Sequence, residues 1–382
     1  MLTIPYGKQQ ITQADIDAVV AVLTSPNLTQ GPKVTEFEQA VAQYCQAAHA
    51  IAVNSGTSAL HIACLSLGLT NDDRVWTSPF SFVASANCAL YCGATIDFVD
   101  VELASGNMDM KALATKLEQA KQSNQLPKIV IPVHYAGHPC DLARLHQLSQ
   151  QYGFSVIEDA SHALGASYQG KPIGHGQYSD ITIFSFHPVK NITSGEGGMA
   201  LTQCPKIAKK LRMYSTHGIT KTDCINEVPG DWYYEQQLLG FNYRMTDIQA
   251  ALGCSQLKRL DQFMERRKAI VERYQQWLPD NIGRLIGTTE GKSAHHLFPI
   301  QIDANKRKRI FDGMRKAGII VQLHYINIAR QPYYQALGFD PLDFPNTEQL
   351  SQTSFSLPLF VDLSEEQQDF VIATLLELLA DD

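Results

Sequence analysis

Nowhere in these 382 residues is there an apolar run long enough to cross a bilayer, and residues 1–20 hold Lys8, Asp15 and Asp17 where a signal peptide needs an apolar core. No membrane partner is expected, and the expected location is cytoplasmic. No Cys-x-x-Cys pair occurs among the 8 cysteines, which are scattered from Cys45 to Cys254. Thiols dispersed in this way argue against a disulfide framework or a zinc site and for a reducing compartment. Basic residues are not in excess: 31 Lys and Arg face 38 Asp and Glu, giving a formal charge of −7 and a pI near 5.9. No general field therefore draws nucleic acid, and an anionic small substrate would need local basic groups. Walker loops, internal repeats and low-complexity tracts are missing too. The histidines show no metal-ligand spacing; His295 and His296 are adjacent and would point to opposite faces of a strand, so no metal is expected. Gly195-x-Gly-x-x-Ala200 formally matches a dinucleotide fingerprint, but it precedes a strand where that fingerprint must follow one.

What is present describes a globular protein, with 45% hydrophobic and 18% charged residues. The length suits two domains, expected at 1–250 and 251–382. Short apolar runs at Ala50–Val53, Arg74–Thr77, Thr95–Val99, Lys128–Val133, Ser155–Glu158, Thr182–Phe186 and Gly198–Thr202 read as strands. Helical periods lie at Thr12–Thr24, with Ala14, Ile16, Val19, Val20 and Leu23 expected inside, and at Val34–Tyr44, Ser58–Leu67, Phe82–Tyr91, Asp109–Ala120, Leu142–Tyr152 and Lys206–Tyr214. This alternation predicts an α/β fold with a largely parallel, doubly wound sheet. A polar stretch at Thr216–Tyr234 predicts a long loop, and a helical pattern runs from Thr246 to Trp277 with a bend expected near Arg259. The remainder predicts a smaller α+β domain with two helices, Lys306–Ala317 and Glu365–Leu379.

Three segments carry chemistry. Lys190 lies just past a buried strand, and Asp159 ends another strand; a lysine delivered to a polar pocket can form a Schiff base with an aldehyde cofactor, while an aspartate at a neighbouring strand end can hold a pyridinium nitrogen. Asn54-Ser55-Gly56-Thr57-Ser58-Ala59 follows a strand and opens a helix, where glycine, hydroxyls and free amides make a phosphate seat. The same residues also read as an ordinary helix cap, and Asp159 as a capping acid. His162 could meet the cofactor's ring hydroxyl, Ser185 could reach the phosphate, and Phe82 could stack on a flat ring or belong to the core. The segment Gly240–Asp247 reads by itself as capping and packing, with Thr246 or Asp247 as cap.

Taken in order, Leu28-Thr29-Gln30-Gly31, Asn54–Ala59, Ser81-Phe82-Val83-Ala84, Glu158-Asp159-Ala160, Ser185-Phe186-His187, Lys190, Gly195-Glu196-Gly197-Gly198, His217-Gly218, Asn242-Tyr243-Arg244, His324-Tyr325 and Ser356-Leu357-Pro358 resemble the DegT/DnrJ/EryC1/StrS family of nucleotide-sugar aminotransferases across essentially the whole chain. The resemblance implies the fold type I of pyridoxal phosphate-dependent transferases, like aspartate aminotransferase. It implies pyridoxal 5'-phosphate as cofactor, a UDP-linked keto-sugar and glutamate as substrates, and a homodimer with shared active sites. Lys190 would bond to the cofactor aldehyde, Asp159 would pair with the ring nitrogen, and His162 would meet the ring oxygen. Gly56, Thr57, Ser58 and Ser185 would bind the phosphate, Phe82 the ring, and Asn242 would arrive from the second subunit. Tyr6, His324 and Tyr325 would lie near the sugar nucleotide. The chain departs from the family pattern His-Tyr-x-Pro-Leu-His, because Tyr325 is followed by Ile326-Asn327-Ile328-Ala329. A non-catalytic regulator that binds the cofactor on the same fold is the rival from another class.

Overall fold

The computed structural model describes residues 3–285, 287 and 290–380. All seven strand-like runs form, and they join one sheet: His49–Val53 (β1), Arg74–Thr77 (β2), Thr95–Phe98 (β3), Ile129–Ile131 (β4), Ser155–Asp159 (β5), Ile181–Ser185 (β6) and Gly198–Thr202 (β7). Their order is β1-β7-β6-β5-β4-β2-β3, with β7 antiparallel to both neighbours and the other pairs parallel. Boundaries move where local chemistry demands it. Pro132 has no N–H, so β4 stops at Ile131, yet Pro132 still accepts from the Asp159 amide at 2.9 Å. Because β7 opposes them, β1 and β6 run the same way, so Asn54, Ser78, Val133, Asp159 and Ser185 all emerge at one edge of the sheet. That edge is where doubly wound sheets bind ligands.

Helices cover both faces. Leu142–Tyr152 forms as expected, capped by Asp141 and ended by Gly153 in the left-handed conformation. The first helix, Gln13–Leu23, corrects the sequence reading: Ile16, Val20 and Leu23 are exposed by 47%, 49% and 54%, and the inward residues are Asp15 and Val22. The reason is polar, since the Asp15 carboxylate receives the Arg259 guanidinium and the Gln256 amide, which turns the acidic side inward. Phe82 lies outside its helix, which starts at Ala84. The long helical pattern divides at Lys258–Arg259 into Asp247–Leu257 and Leu260–Trp277, near the expected bend.

A separate apolar cluster gathers Ile4, Ile270, Tyr274, Ile300, Met314, Phe355 and Leu375 around a small antiparallel sheet of Gly283–Arg284, Phe298–Gln301 and Ser354–Leu357. Beside the expected pair, Ala304–Lys316 and Glu365–Ala380, this region contains two more short helices, Pro332–Ala336 and Pro345–Thr353. The sequence reading missed them because each is brief and is announced mainly by a proline at its first position. The loop after Thr216 is pinned by a short ladder of Ile219–Thr220 with Glu235–Gln236.

One clamp joins distant parts of the large unit. Asp247, fully buried, accepts from the amides of Gly31 and Lys33 at 2.8 Å each, capping the helix Pro32–Cys45 while standing in the first turn of its own. Its own amide donates to Leu28 O at 3.0 Å. Thr246, not Asp247, caps its own helix, in a capping box with Gln249. Replacing Asp247 by Ala leaves two half-buried amides without their carboxylate and should cost about 1–3 kcal/mol, read as a lower urea midpoint with unchanged slope.

Candidate active site

The loops at the shared sheet edge enclose a cavity of about 910 Å³, whose lining includes Tyr6, Gly56, Thr57, Ser58, Phe82, Asp159, His162, Ser185, Lys190, His324 and Tyr325. Eleven of the twelve residues expected at the site thus meet there, Asn242 being the exception. Asn242 is exposed on its own chain and bridges to Thr216.

Asp159 ends β5 and is 5% exposed. Its Oδ2 accepts from Ser85 Oγ at 2.6 Å, and its Oδ1 accepts from Ser161 Oγ at 2.6 Å and Ser161 N at 3.1 Å. Three donors, one from the first turn of the helix Ala84–Tyr91 and two from the turn after β5, fix the plane of the carboxylate. Lys190 lies in the turn after β6, its amide donating to His187 O at 2.9 Å. Burial pushes its ammonium down to about 8, with the Asp159 charge opposing. An amine so placed is partly neutral near physiological pH, which a nucleophile or a base requires.

His162 is buried, its Nε2 3.0 Å from the Tyr325 hydroxyl and its ring 4.4 Å from that of His296. Burial, followed by the charge on Lys190, holds it well below the usual imidazole range, so it is neutral. His324 is likewise lowered, to about 3, by burial; its Nδ1 is 2.9 Å from Ser356 Oγ and its ring 5.4 Å from Tyr6. Desolvation raises the phenols of Tyr6 and Tyr325. This wall of the cavity is polar and uncharged.

The phosphate seat opens the helix Gly56–Ser66. Ser55 caps it, accepting from Ser58 N at 3.1 Å, while Ser58 Oγ donates to Asn54 Oδ1 at 2.7 Å. A Cβ on Gly56 would lie 3.0 Å from Ser185 Cβ, so glycine lets the end of β6 close against the first turn without crowding. Phe82 is 61% exposed at the rim and does not join the core; Phe80 is the buried ring of that segment.

Sequence reasoning missed Ser85, Ser161 and His296. Ser85 sat inside an expected helix with nothing to mark its direction. His296 was noted only as half of a pair with opposed faces; it lines the cavity, while His295 turns toward His138, 6.2 Å away between rings. Among the described residues no cluster suits a metal ion. After the departure from the family pattern, Asn327 is buried, with its side chain accepting from Ala329 N at 3.0 Å and donating to Glu348 at 3.2 Å, so the unusual residues form a packed turn.

The donor set fits pyridoxal phosphate. A ring held at Asp159 would span toward the amides at Gly56 and Thr57, with Lys190 beside it, and the buried Nδ1 of His162 has no partner among the described residues. Fold and site together define a pyridoxal phosphate-dependent aminotransferase. The chain belongs to the DegT/DnrJ/EryC1/StrS aminotransferase family, whose model matches residues 9–376. It is 37% identical over 379 residues to the spore coat polysaccharide biosynthesis protein SpsC of Bacillus subtilis, covering 97% of this chain and 95% of the relative. It is 35% identical over 381 residues to UDP-4-amino-4,6-dideoxy-N-acetyl-beta-L-altrosamine transaminase of Campylobacter jejuni, covering 98% and 97%. The solved structure of Helicobacter pylori PseC, an aminotransferase involved in the biosynthesis of pseudoaminic acid, superposes with a TM-score of 0.91 at 31% identity, covering 99% of both chains. The protein is accordingly a sugar aminotransferase.

In cofactor-free protein the rate at which Lys190 captures pyridoxal should rise with pH to a midpoint near 8. Below that midpoint the neutral fraction is about 300-fold larger than for an exposed lysine. A midpoint above 10 would show that the amine reaches bulk water.

Proposed function

We propose that the protein transfers the amino group of glutamate to C4 of a UDP-linked 4-keto-6-deoxy-N-acetylhexosamine, giving UDP-4-amino-4,6-dideoxy-N-acetyl-β-L-altrosamine on the route to pseudaminic acid. The observation that carries this reading is the neutral wall of Tyr6, His324, Tyr325 and His162 in the cavity of Lys190, joined to full-length similarity to sugar aminotransferases of that pathway. Uncharged hydrogen-bonding groups suit the hydroxyl and acetamido groups of a sugar. Pyridoxal phosphate, when bound, stores the amino group between the two half-reactions and draws electrons from the carbon that loses a proton. Lys190 Nζ takes that proton from the donor carbon and returns one to C4 of the acceptor. Asp159 would keep the ring nitrogen charged, and Gly56, Thr57, Ser58 and Ser185 would hold the phosphate. His162 would meet the ring oxygen, and Phe82 would cover the ring from the rim.

An amine of the gluco configuration, UDP-4-amino-4,6-dideoxy-N-acetylglucosamine, is the alternative product. Similarity to the spore coat polysaccharide protein favours keeping it in view, because it comes from a relative with a different printed role. The decisive measurement is NMR of the product from each keto-sugar: L-altro stereochemistry at C4 and C5 is expected, and a gluco product would replace this assignment. Lys190→Ala should abolish turnover while phosphate-dependent cofactor binding persists, and near-normal activity would exclude the role given to Lys190.

The working unit is read as a homodimer, placed in the cytoplasm in keeping with eight free thiols. Support comes from the exposed apolar side of Gln13–Leu23 and from Asn242, which is exposed outside its own cavity and is assigned to the neighbouring site. Mixing inactive Lys190→Ala and Asn242→Ala chains should restore about one quarter of wild-type activity through hybrids with one intact site. No recovery on subunit exchange would place Asn242 elsewhere.

A further inference from the structure

Lys190 is followed by Asn191, a residue that the chemistry above does not use. Its side chain is 5% exposed, and both hydrogens of its amide are engaged: Nδ2 donates to Leu164 O at 2.9 Å and to Ala294 O at 3.2 Å. Leu164 stands two residues after His162, and Ala294 two residues before His296. One planar amide therefore ties together the three loops that bring Lys190, His162 and His296 to the cavity.

The rest of the lysine loop is closed at its base, where Phe186 N donates to Gly197 O at 2.9 Å and Ser194 N to Phe186 O at 3.0 Å. Those bonds fix where the loop begins and ends without setting the direction of its crest. The crest is set from the other side. The segment that receives the second amide hydrogen is itself anchored, since Ala294 N donates to Gly137 O at 2.9 Å and His296 N to Ala136 O at 3.0 Å. Gly137 has a φ of +95°, and a Cβ there would fall 2.9 Å from His162 O and 3.1 Å from His296 N, so the loops meet backbone to backbone. Asn191 fills the remaining side of this junction.

We propose that Asn191 is a positioning residue, which aims the amine of Lys190 by locking its loop to the loops of His162 and His296. The proposal rests on Lys190 being the cofactor lysine. A donor pair divided between two fixed carbonyls sets the side-chain plane, hence the Cα of Asn191 and the peptide that joins it to Lys190. Without the amide, both buried carbonyls lose their donor, and the lysine tip gains freedom to leave its desolvated seat among Asp159, His162, His296 and His324, with Glu196 at the rim.

Asn191→Leu removes the donors at similar volume, and Asn191→Ser removes most of their reach without adding bulk. Two readouts separate aiming from mere stability. In cofactor-free protein, the pH midpoint for capture of pyridoxal by Lys190 should move upward by about one unit or more in both variants, as the amine regains water. In the loaded enzyme, kcat should fall at least about tenfold while KM for glutamate changes less than about twofold, as misaimed catalytic groups require. Gln368→Leu, which removes a buried donor to Ile270 O in the distant core, is the control: it should lower Tm without moving the midpoint. An unmoved midpoint in both Asn191 variants, or an equal shift in the Gln368 control, overturns the proposal. Borohydride labelling mapped to Lys190 in the wild type checks the underlying assignment independently.

Discussion

Desolvation of a single amine governs the rest of the site. Lys190 stays partly neutral because it sits among groups that are themselves kept uncharged: His162, His296 and His324 are buried imidazoles with lowered pKa values, and Tyr6 and Tyr325 are phenols with raised ones. Asp159, whose carboxylate is held by Ser85 and Ser161, only moderates the effect of burial on Lys190. Had that wall of imidazoles and phenols carried carboxylates instead, the lysine would hold its proton to higher pH.

The fold arranges this with the economy of a parallel sheet. Strands running the same way deliver five loops to one edge, so residues distant in sequence become neighbours through topology alone. The smaller apolar cluster adds the opposite wall. Its N-terminal contribution, Ile4, pairs with the backbone around Ile319, while Tyr6 O accepts from Leu359 N at 2.9 Å, which carries the Tyr6 ring to His324. Ile4 and Tyr6 therefore help complete a cavity founded mainly by the loops after β1, β2, β4, β5 and β6.

Much of this was legible in the residues themselves. Seven apolar runs became the seven strands, because central strands buried on both faces leave an unmistakable pattern. The lysine and the strand-end aspartate were legible for a related reason: an ionisable residue right after such a run has little choice of location. Side-chain direction was harder to read. The helix Gln13–Leu23 was turned the wrong way because apolar spacing favoured Ile16 and Leu23 as interior, and nothing local announced that Arg259, far along the chain, would draw Asp15 inward. Ser85 and His296 escaped for the same cause, since a hydroxyl or an imidazole becomes part of a site only through contacts that sequence separation conceals.

The clamp at Asp247 has a consequence for inheritance. Gly31 and Asp247 lie 216 positions apart, yet a methyl group at residue 31 would come within 2.8 Å of the carboxylate it serves. Neither partner can drift alone: a side chain at the first demands retreat of the second, and loss of the carboxylate at the second strands the amide of the first. Gene segments exchanged between relatives, with a crossover anywhere between those positions, bring the halves of this contact from different parents. Such recombinants would survive only where both lineages had kept the same pair.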